Sequence, residues 1–158
     1  MSGFMNHDVW CDDITGDGND EILAANADGH LYCLNENGET LWSFKQNDAP
    51  MYTVCVIQKE GTPYVVVGGF DKNVYYLSAK GELVKTLKSS TYSKEKSWGN
   101  DGIIPPKYEH ITNFIRPVKQ DALNDNIVVH GTLHSMSTSG HLYEFAPLAD
   151  LPFRTTAA

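Results

Sequence analysis

Cysteine is scarce in this chain: there are 3 among 158 residues (Cys11, Cys33 and Cys55), an odd number with no Cys-x-x-Cys pair. That excludes a disulfide framework and leaves zinc-ribbon or thioredoxin-like chemistry without support. The three read as small buried apolar residues. Positive charge is also short, with 12 Lys and Arg against 20 Asp and Glu and a formal net charge of -8. Such a field repels phosphate backbones, so no nucleic acid is expected as a partner. No apolar run approaches the roughly 18–20 residues a membrane-crossing helix needs, so no membrane span is expected. The opening MSGFMNHDVW lacks a basic stretch followed by an apolar one, so no signal peptide is read in this chain. Long segments with a 3.6-residue apolar period are missing too, which predicts little helix. No GxSxG, P-loop, HExxH or GxGxxG pattern occurs. The common hydrolase, nucleotide and zinc-protease readings therefore have no support.

What the chain does have is an internal repeat. Val9–Phe44 lies over Tyr52–Leu87 without a gap at a period of 43 residues. Identities fall at Ile14/Ile57, Gly18/Gly61, Asp28/Asp71, Tyr32/Tyr75, Leu34/Leu77, Gly38/Gly81 and Glu39/Glu82. A looser third copy follows, in which NIVVHG (Asn126–Gly131) matches YVVVGG (Tyr64–Gly69) and HLY (His141–Tyr143) matches His30–Tyr32. An insertion of roughly Ser89–His110 separates the second copy from the third.

Each copy reads as four short strands. In the first, HDVWCDDI, EILAAN, HLYCLN and TLWSFK are rich in β-branched and aromatic residues and are divided by TGDGND, ADG and ENGE. Asp28-Gly29 suits a two-residue hairpin, and Gly38 and Gly81 stand where the left-handed region is wanted. Hairpins make the sheets antiparallel. The second run of each copy is continuously apolar, which suits a strand covered on both faces. A four-stranded unit of this size that cannot bury its own faces is the mark of a β-propeller blade. The expectation is an all-β chain of about three four-stranded antiparallel blades, a partial propeller forming a single unit over 1–158. The blades are placed at about 6–46, 49–88 and 109–158, with an inserted loop at 89–108. The outermost strand of the third is either missing or formed by Leu151–Thr155. Closed rings typically hold four to eight blades. The remainder would come from a longer protein or a homo-oligomer, or the sheets would stack as an open arc, and a fragment is the preferred reading.

The run Asp13-Ile-Thr-Gly-Asp17-Gly18-Asn19-Asp20-Glu21 resembles the calcium loop of FG-GAP (integrin-α-like, or VCBS) propeller repeats, of the form D-x-D-x-D-G-x-x-[DE]. The resemblance covers the first blade. It implies a Ca2+ ion held by Asp13, Thr15, Asp17 and Glu21 around the turn at Gly18, with Thr15 replacing a customary acid and weakening the site. Oxygen ligands at alternate positions of a tight loop are what a hard cation takes. In the second blade Val56, Gln58, Glu60 and Tyr64 fall on those places, so no calcium is expected there. The same residues also read as a solvated acidic hairpin, because Asp, Asn and Gly are turn formers. Leu31–Phe44 and Val74–Leu87 are similar to the PQQ-like propeller repeat, with Trp42 on the place of a tryptophan that packs between blades. That resemblance concerns architecture, and no PQQ is expected. Both families imply an extracytoplasmic, secreted or periplasmic, setting. Calcium-bearing propellers of rhamnogalacturonan and other polysaccharide lyases make a carbohydrate-acting parent protein a further analogy.

Loops added to a regular scaffold are where function concentrates. The insertion carries Tyr92, Trp98 and Tyr108, aromatic rings that could stack on sugar, and equally a plug that closes the end of the barrel. Four of the six histidines, His110, His130, His134 and His141, fall at or after the end of the insertion. His130 and His134 would share one strand face about 13 Å apart, too far to share a metal. They are candidates for ligand contact or hydrogen-bonded structural residues. No catalytic residue is assigned. The leading expectation is a non-catalytic module that binds a glycan or protein ligand. The alternative is a fragment of a propeller enzyme, such as a polysaccharide lyase or quinoprotein, and a third is a scaffold that assembles through its strand edges.

Overall fold

The computed structural model describes residues 2–92, 110–132, 141–145 and 154–157. Three four-stranded sheets hold most of them. The first holds β1 (Asn6–Asp12), β2 (Glu21–Asn26), β3 (His30–Leu34) and β4 (Thr40–Lys45). The second holds β5 (Met51–Lys59), β6 (Thr62–Gly69), β7 (Asn73–Ser78) and β8 (Leu83–Lys88). The third holds β9 (Ile111–Lys119), β10 (Asp125–Thr132), β11 (His141–Phe145) and β12 (Arg154–Ala157). Within each sheet the strands neighbour one another in chain order and every pairing is antiparallel. The one helix among the described residues is the single turn α1 (Ser89–Tyr92). A fourth strand of the third sheet is present at Arg154–Ala157, overlapping the expected Leu151–Thr155, of which residues 151–153 lie outside the described residues.

Several identities of the repeat are residues that shape its turns. Asp28 accepts the backbone N–H of His30 at 2.8 Å and the hydroxyl of Tyr32 at 2.7 Å. Asp71 does the same for Asn73 N–H and the Tyr75 hydroxyl. An acid before the third strand and a tyrosine within it thus clamp the hairpin in both blades. At the next turn, Asn35 Oδ1 accepts N–H from Asn37 and Glu39, and Ser78 Oγ accepts N–H from Lys80 and Glu82. Gly38 and Gly81 close these turns at φ 82° and 79°.

The sheets stack face to face. Leu23, Ala25, Leu31 and Cys33 of the first meet Val54, Val56, Val65, Val67, Tyr75 and Leu77 of the second. The opposite face of the second, with Cys55, Ile57, Val66, Val74 and Tyr76, meets Ile115, Ile127, Val129 and Phe145 of the third. Both faces of β6 are therefore buried, as its unbroken apolar run requires. Trp42 seals the first seam: its indole N–H donates to the Ala79 carbonyl at 3.0 Å, and its ring lies against Gly81. Cys33 and Cys55 are buried as expected, but Cys11 is exposed, because it lies on the face of the first sheet that turns away from the second.

Candidate functional site

The first strands of the three sheets, β1, β5 and β9, run beside one another. Each contributes one polar side chain to a shared cluster. Asp8 Oδ2 accepts the Thr53 hydroxyl at 3.0 Å, the Val54 backbone N–H at 3.0 Å and Arg116 Nη1 at 3.0 Å. Its Oδ1 accepts Arg116 Nη2 at 3.3 Å, which makes the ion pair bidentate. Arg116 Nη1 also donates to the Ile115 carbonyl at 2.7 Å, and Thr53 Oγ1 accepts the Ile115 N–H at 3.0 Å. The guanidinium lies 5.8 Å from the Trp10 ring centroid and 6.0 Å from that of Phe114, within cation–π reach. Asp8 is largely buried and Arg116 is about half exposed, so the pair is worth more than a surface contact and less than a buried one. The carboxylate thus takes donors from both other blades as well as the Val9 N–H of its own strand at 3.1 Å, which fits a tie between blades better than a poised acid or base.

Arg116 also borders a cavity of about 370 Å³, lined by Phe114, Arg116, Val128, His130 and Leu142. The register explains the grouping. Val128 pairs with Arg116, and His130 pairs with Phe114 on one side and Leu142 on the other, so all five project from one face of the third sheet. The His130 and Phe114 rings lie 6.0 Å apart. His130 is thus a sequence candidate that the structure places in a cavity.

The acidic loop between β1 and β2 has a different geometry. Asp13 Oδ1 accepts N–H from Gly16 at 2.7 Å and Asp17 at 3.2 Å, and its Oδ2 accepts Gly18 N–H at 2.9 Å. Those bonds, with Gly18 the strongest, hold the Asp13 carboxyl below its ordinary pKa against an opposing push from burial. Asp17 Oδ1 accepts Asn19 N–H at 2.8 Å. Glu21 is buried, and its Oε2 accepts N–H from Ile14 at 3.0 Å and Thr15 at 3.2 Å, with the Thr15 hydroxyl at 3.5 Å from Oε1. Three carboxylates and a hydroxyl have the donor chemistry for calcium. Here those carboxylates face the amides of their own loop, and no group of three or more His, Cys, Asp and Glu able to hold a metal occurs among the described residues.

Of the other sequence candidates, Tyr92 ends α1 fully buried, with its ring 5.4 Å from that of Phe145. Burial pushes its phenol pKa well up. It is a core residue, not an exposed ring for stacking on a ligand. Trp98, Tyr108 and His134 lie outside the described residues. Sequence reading missed Asp8, Thr53, Phe114 and Arg116. Asp8 and Arg116 are 108 positions apart, so no local spacing could have joined them. The available signal was a single arginine inside the apolar run ITNFIRPVK.

The family model described as the lambda-carrageenase β-propeller domain matches residues 1–158. The chain belongs to that family. It is 53% identical over 152 residues to a lambda-carrageenase of a Pseudoalteromonas species and 52% identical over 152 residues to that of Pseudoalteromonas carrageenovora. Each match covers 96% of this chain and 16% of the relative, so this family member spans about a sixth of the length of those curated proteins. Among solved structures, BBS1N in complex with ARL6DN overlays 99% of the chain on 46% of its own, with TM-score 0.67 and 16% identity. The Neurospora crassa Pan2 WD40 domain overlays 97% of the chain on 36% of its own, with TM-score 0.62 and 14% identity. These two share the propeller fold with the lambda-carrageenase propeller domain described above.

Proposed function

We propose that this segment is a non-catalytic, carbohydrate-directed part of the propeller of a protein that acts on lambda-carrageenan or a related galactan. In this reading it holds the polysaccharide for chemistry carried elsewhere on the polypeptide. The observation that carries the proposal is the match to curated lambda-carrageenases across 96% of the chain. The hydrogen bonds that Asp8 accepts from Thr53, Val54 and Arg116 support a structural role for this carboxylate between blades. A polysaccharide too large to enter a cell is met outside it, so the setting proposed is extracytoplasmic. The FG-GAP-like reading of the first blade, with calcium at Asp13, Thr15, Asp17 and Glu21, belongs to the same proposal.

The test is hydroxyl-radical footprinting of the full-length protein with lambda-carrageenan, and with neutral dextran as control. Protection of side chains within residues 1–158 by lambda-carrageenan alone is the expected result. An unchanged footprint over the whole segment would overturn it. A second reading, a piece of a polysaccharide-degrading active site, is favoured by one feature: Arg116 links the Asp8 carboxylate to the cavity that holds His130.

A further inference from the structure

We propose that the turn joining β6 to β7 (Phe70–Lys72) and the cavity it borders form a subsite for a sugar ring that bears a sulfate ester. The proposal deepens the carbohydrate reading and rests on it. Its starting point is a departure from the repeat. The same turn of the first blade is Ala27-Asp28-Gly29; the second blade keeps the acid and puts phenylalanine and lysine on either side of it. Neither change serves the hairpin. Gly29 takes φ 90° freely, whereas Lys72 holds φ 68°, a left-handed backbone that few side chains adopt and that is commonest where a site requires it. Phe70 sets a large apolar ring at the tip with 46% of its surface exposed.

The apolar half of the subsite is a run of rings. Phe70 meets Tyr52 edge-on at 6.4 Å, and Tyr52 meets the exposed His7 edge-on at 5.0 Å. One face of a sugar ring is apolar, and an exposed aromatic cluster is its complement. The cationic half lies at the other end of the turn, where Asp71, Lys72, Asn73, Lys88 and Ser89 line a cavity of about 190 Å³. Pockets for whole small molecules begin at about 300 Å³, so this one suits a single substituent. Two lysines stand there against one acid, in a chain of net charge -8. That acid is already engaged: Asp71 accepts the Asn73 N–H, the Asn47 side-chain amide at 2.8 Å and the Tyr75 hydroxyl. Ser89 is fully buried and its hydroxyl has no hydrogen-bond partner, an orphan that a ligand oxygen would satisfy. In the first blade the same place is closed, since a Cβ on Gly29 would lie 2.7 Å from the Asn47 carbonyl oxygen and 3.1 Å from that of Ala49. In the second the chain turns into α1 after Lys88, with the Ser89 N–H on the Lys72 carbonyl at 3.0 Å. Carrageenans are galactans esterified with sulfate, so ring and anion arrive on one ligand. Lysine meets such an anion as a point charge and needs no planar fit.

Hydroxyl-radical footprinting of the full-length protein, read at Phe70 and titrated with a lambda-carrageenan oligosaccharide of fixed length, gives the affinity of this place alone. The expected result is protection of Phe70 by the sulfated oligosaccharide. Its midpoint should rise about tenfold for the same oligosaccharide after chemical desulfation, and about tenfold in Lys72→Gly. Glycine is the first blade's own residue at this turn, so the variant keeps a backbone the fold accepts. An unprotected Phe70 beside protected side chains elsewhere in residues 1–158 would overturn the subsite and leave the carbohydrate reading standing; no protection anywhere in the segment would sink both. Equal midpoints for the sulfated and desulfated sugars would also overturn it, because the lysines would then take no part. That comparison uses the wild-type protein and decides the matter even if Lys72→Gly fails to fold.

Discussion

The first two copies of the repeat align without a gap, yet eight residues connect β1 to β2 in the first blade and two connect β5 to β6 in the second. In the second blade the ladder continues through Lys59 and Thr62 to a two-residue turn at Glu60-Gly61, both with positive φ. The third blade then holds that tip: Leu123 accepts Gly61 N–H, Asn124 Oδ1 accepts Glu60 N–H, and Asp125 Oδ2 accepts Gln58 N–H. In the first blade the ladder stops at Asp12 and Glu21, and side-chain carboxylates take the N–H groups of the loop. Backbone donors must be satisfied one way or the other. The acidic composition of the first loop is what replaces its missing ladder.

That contrast can be broken most severely at Glu21. Glu21→Ala should cost about 3 kcal/mol, because two backbone donors beside a buried position lose a charged acceptor; Glu60→Ala, which removes a side chain and leaves the bonded N–H, should stay within about 0.5 kcal/mol. Urea denaturation of the full-length protein, followed by a tryptophan signal from this segment, measures both. Equal losses would mean that the two connections are not held as described.

The glycine turns sharpen the comparison at a second place. A Cβ on Gly81 would come within 2.6 Å of the Trp42 ring, whereas nothing lies within 4 Å of one on Gly38. Gly38→Ala should cost about 1 kcal/mol for the left-handed backbone, and Gly81→Ala about 2–3 kcal/mol, since Trp42 must also move. Losses of the same size would place the Trp42 seam elsewhere.

Acid should separate the blades more gently. Burial pushes the Asp28 carboxyl up, but hydrogen bonds from Ser2, Tyr32 and His30 outweigh it and hold the group well below its ordinary value of 3.8. A depressed folded pKa gives stability that is present above the unfolded value and lost as pH falls below it toward the folded one. Asp28→Asn should therefore flatten the acid limb of a stability–pH curve, an effect that urea melts at descending pH can follow. An unchanged limb would remove Asp28 from the acid response. The smallest effect expected is that of calcium. With Thr15 in place of a customary acid and the loop carboxylates already capping amides, calcium in place of EDTA should raise the melting temperature by only about 1–2 °C, a gain lost in Asp17→Ala. An unchanged melting temperature would remove calcium from this loop.

The fold was legible because its signals are local. A turn glycine, an acid four residues before a tyrosine and an unbroken apolar second strand recur at fixed spacing, and each does the same physical work in both of the first two blades. Trp42 was legible for the same reason, as a large ring at a place where blades meet. The site was far less so. Asp8, Thr53 and Arg116 come from three blades and meet only through the arrangement of β1, β5 and β9, which no short window contains. Tyr92 looked like a loop aromatic because the sequence does not show that its single helical turn sits over Phe145. Cys11 looked buried because a free cysteine usually behaves as a small buried apolar residue; the missing information was which face of its sheet has a neighbour.

The central claim, that the Asp8 carboxylate ties blades together within a carbohydrate-directed scaffold, is tested most directly by Asp8→Asn in the full-length protein. Melting temperature and kcat for release of reducing ends from lambda-carrageenan would be measured on the same preparation. The account predicts a lower melting temperature, reflecting a loss of about 2 kcal/mol, with kcat of the folded protein within about threefold of wild type. An unchanged melting temperature with kcat lowered by about 100-fold or more would contradict it and make Asp8 part of an active site.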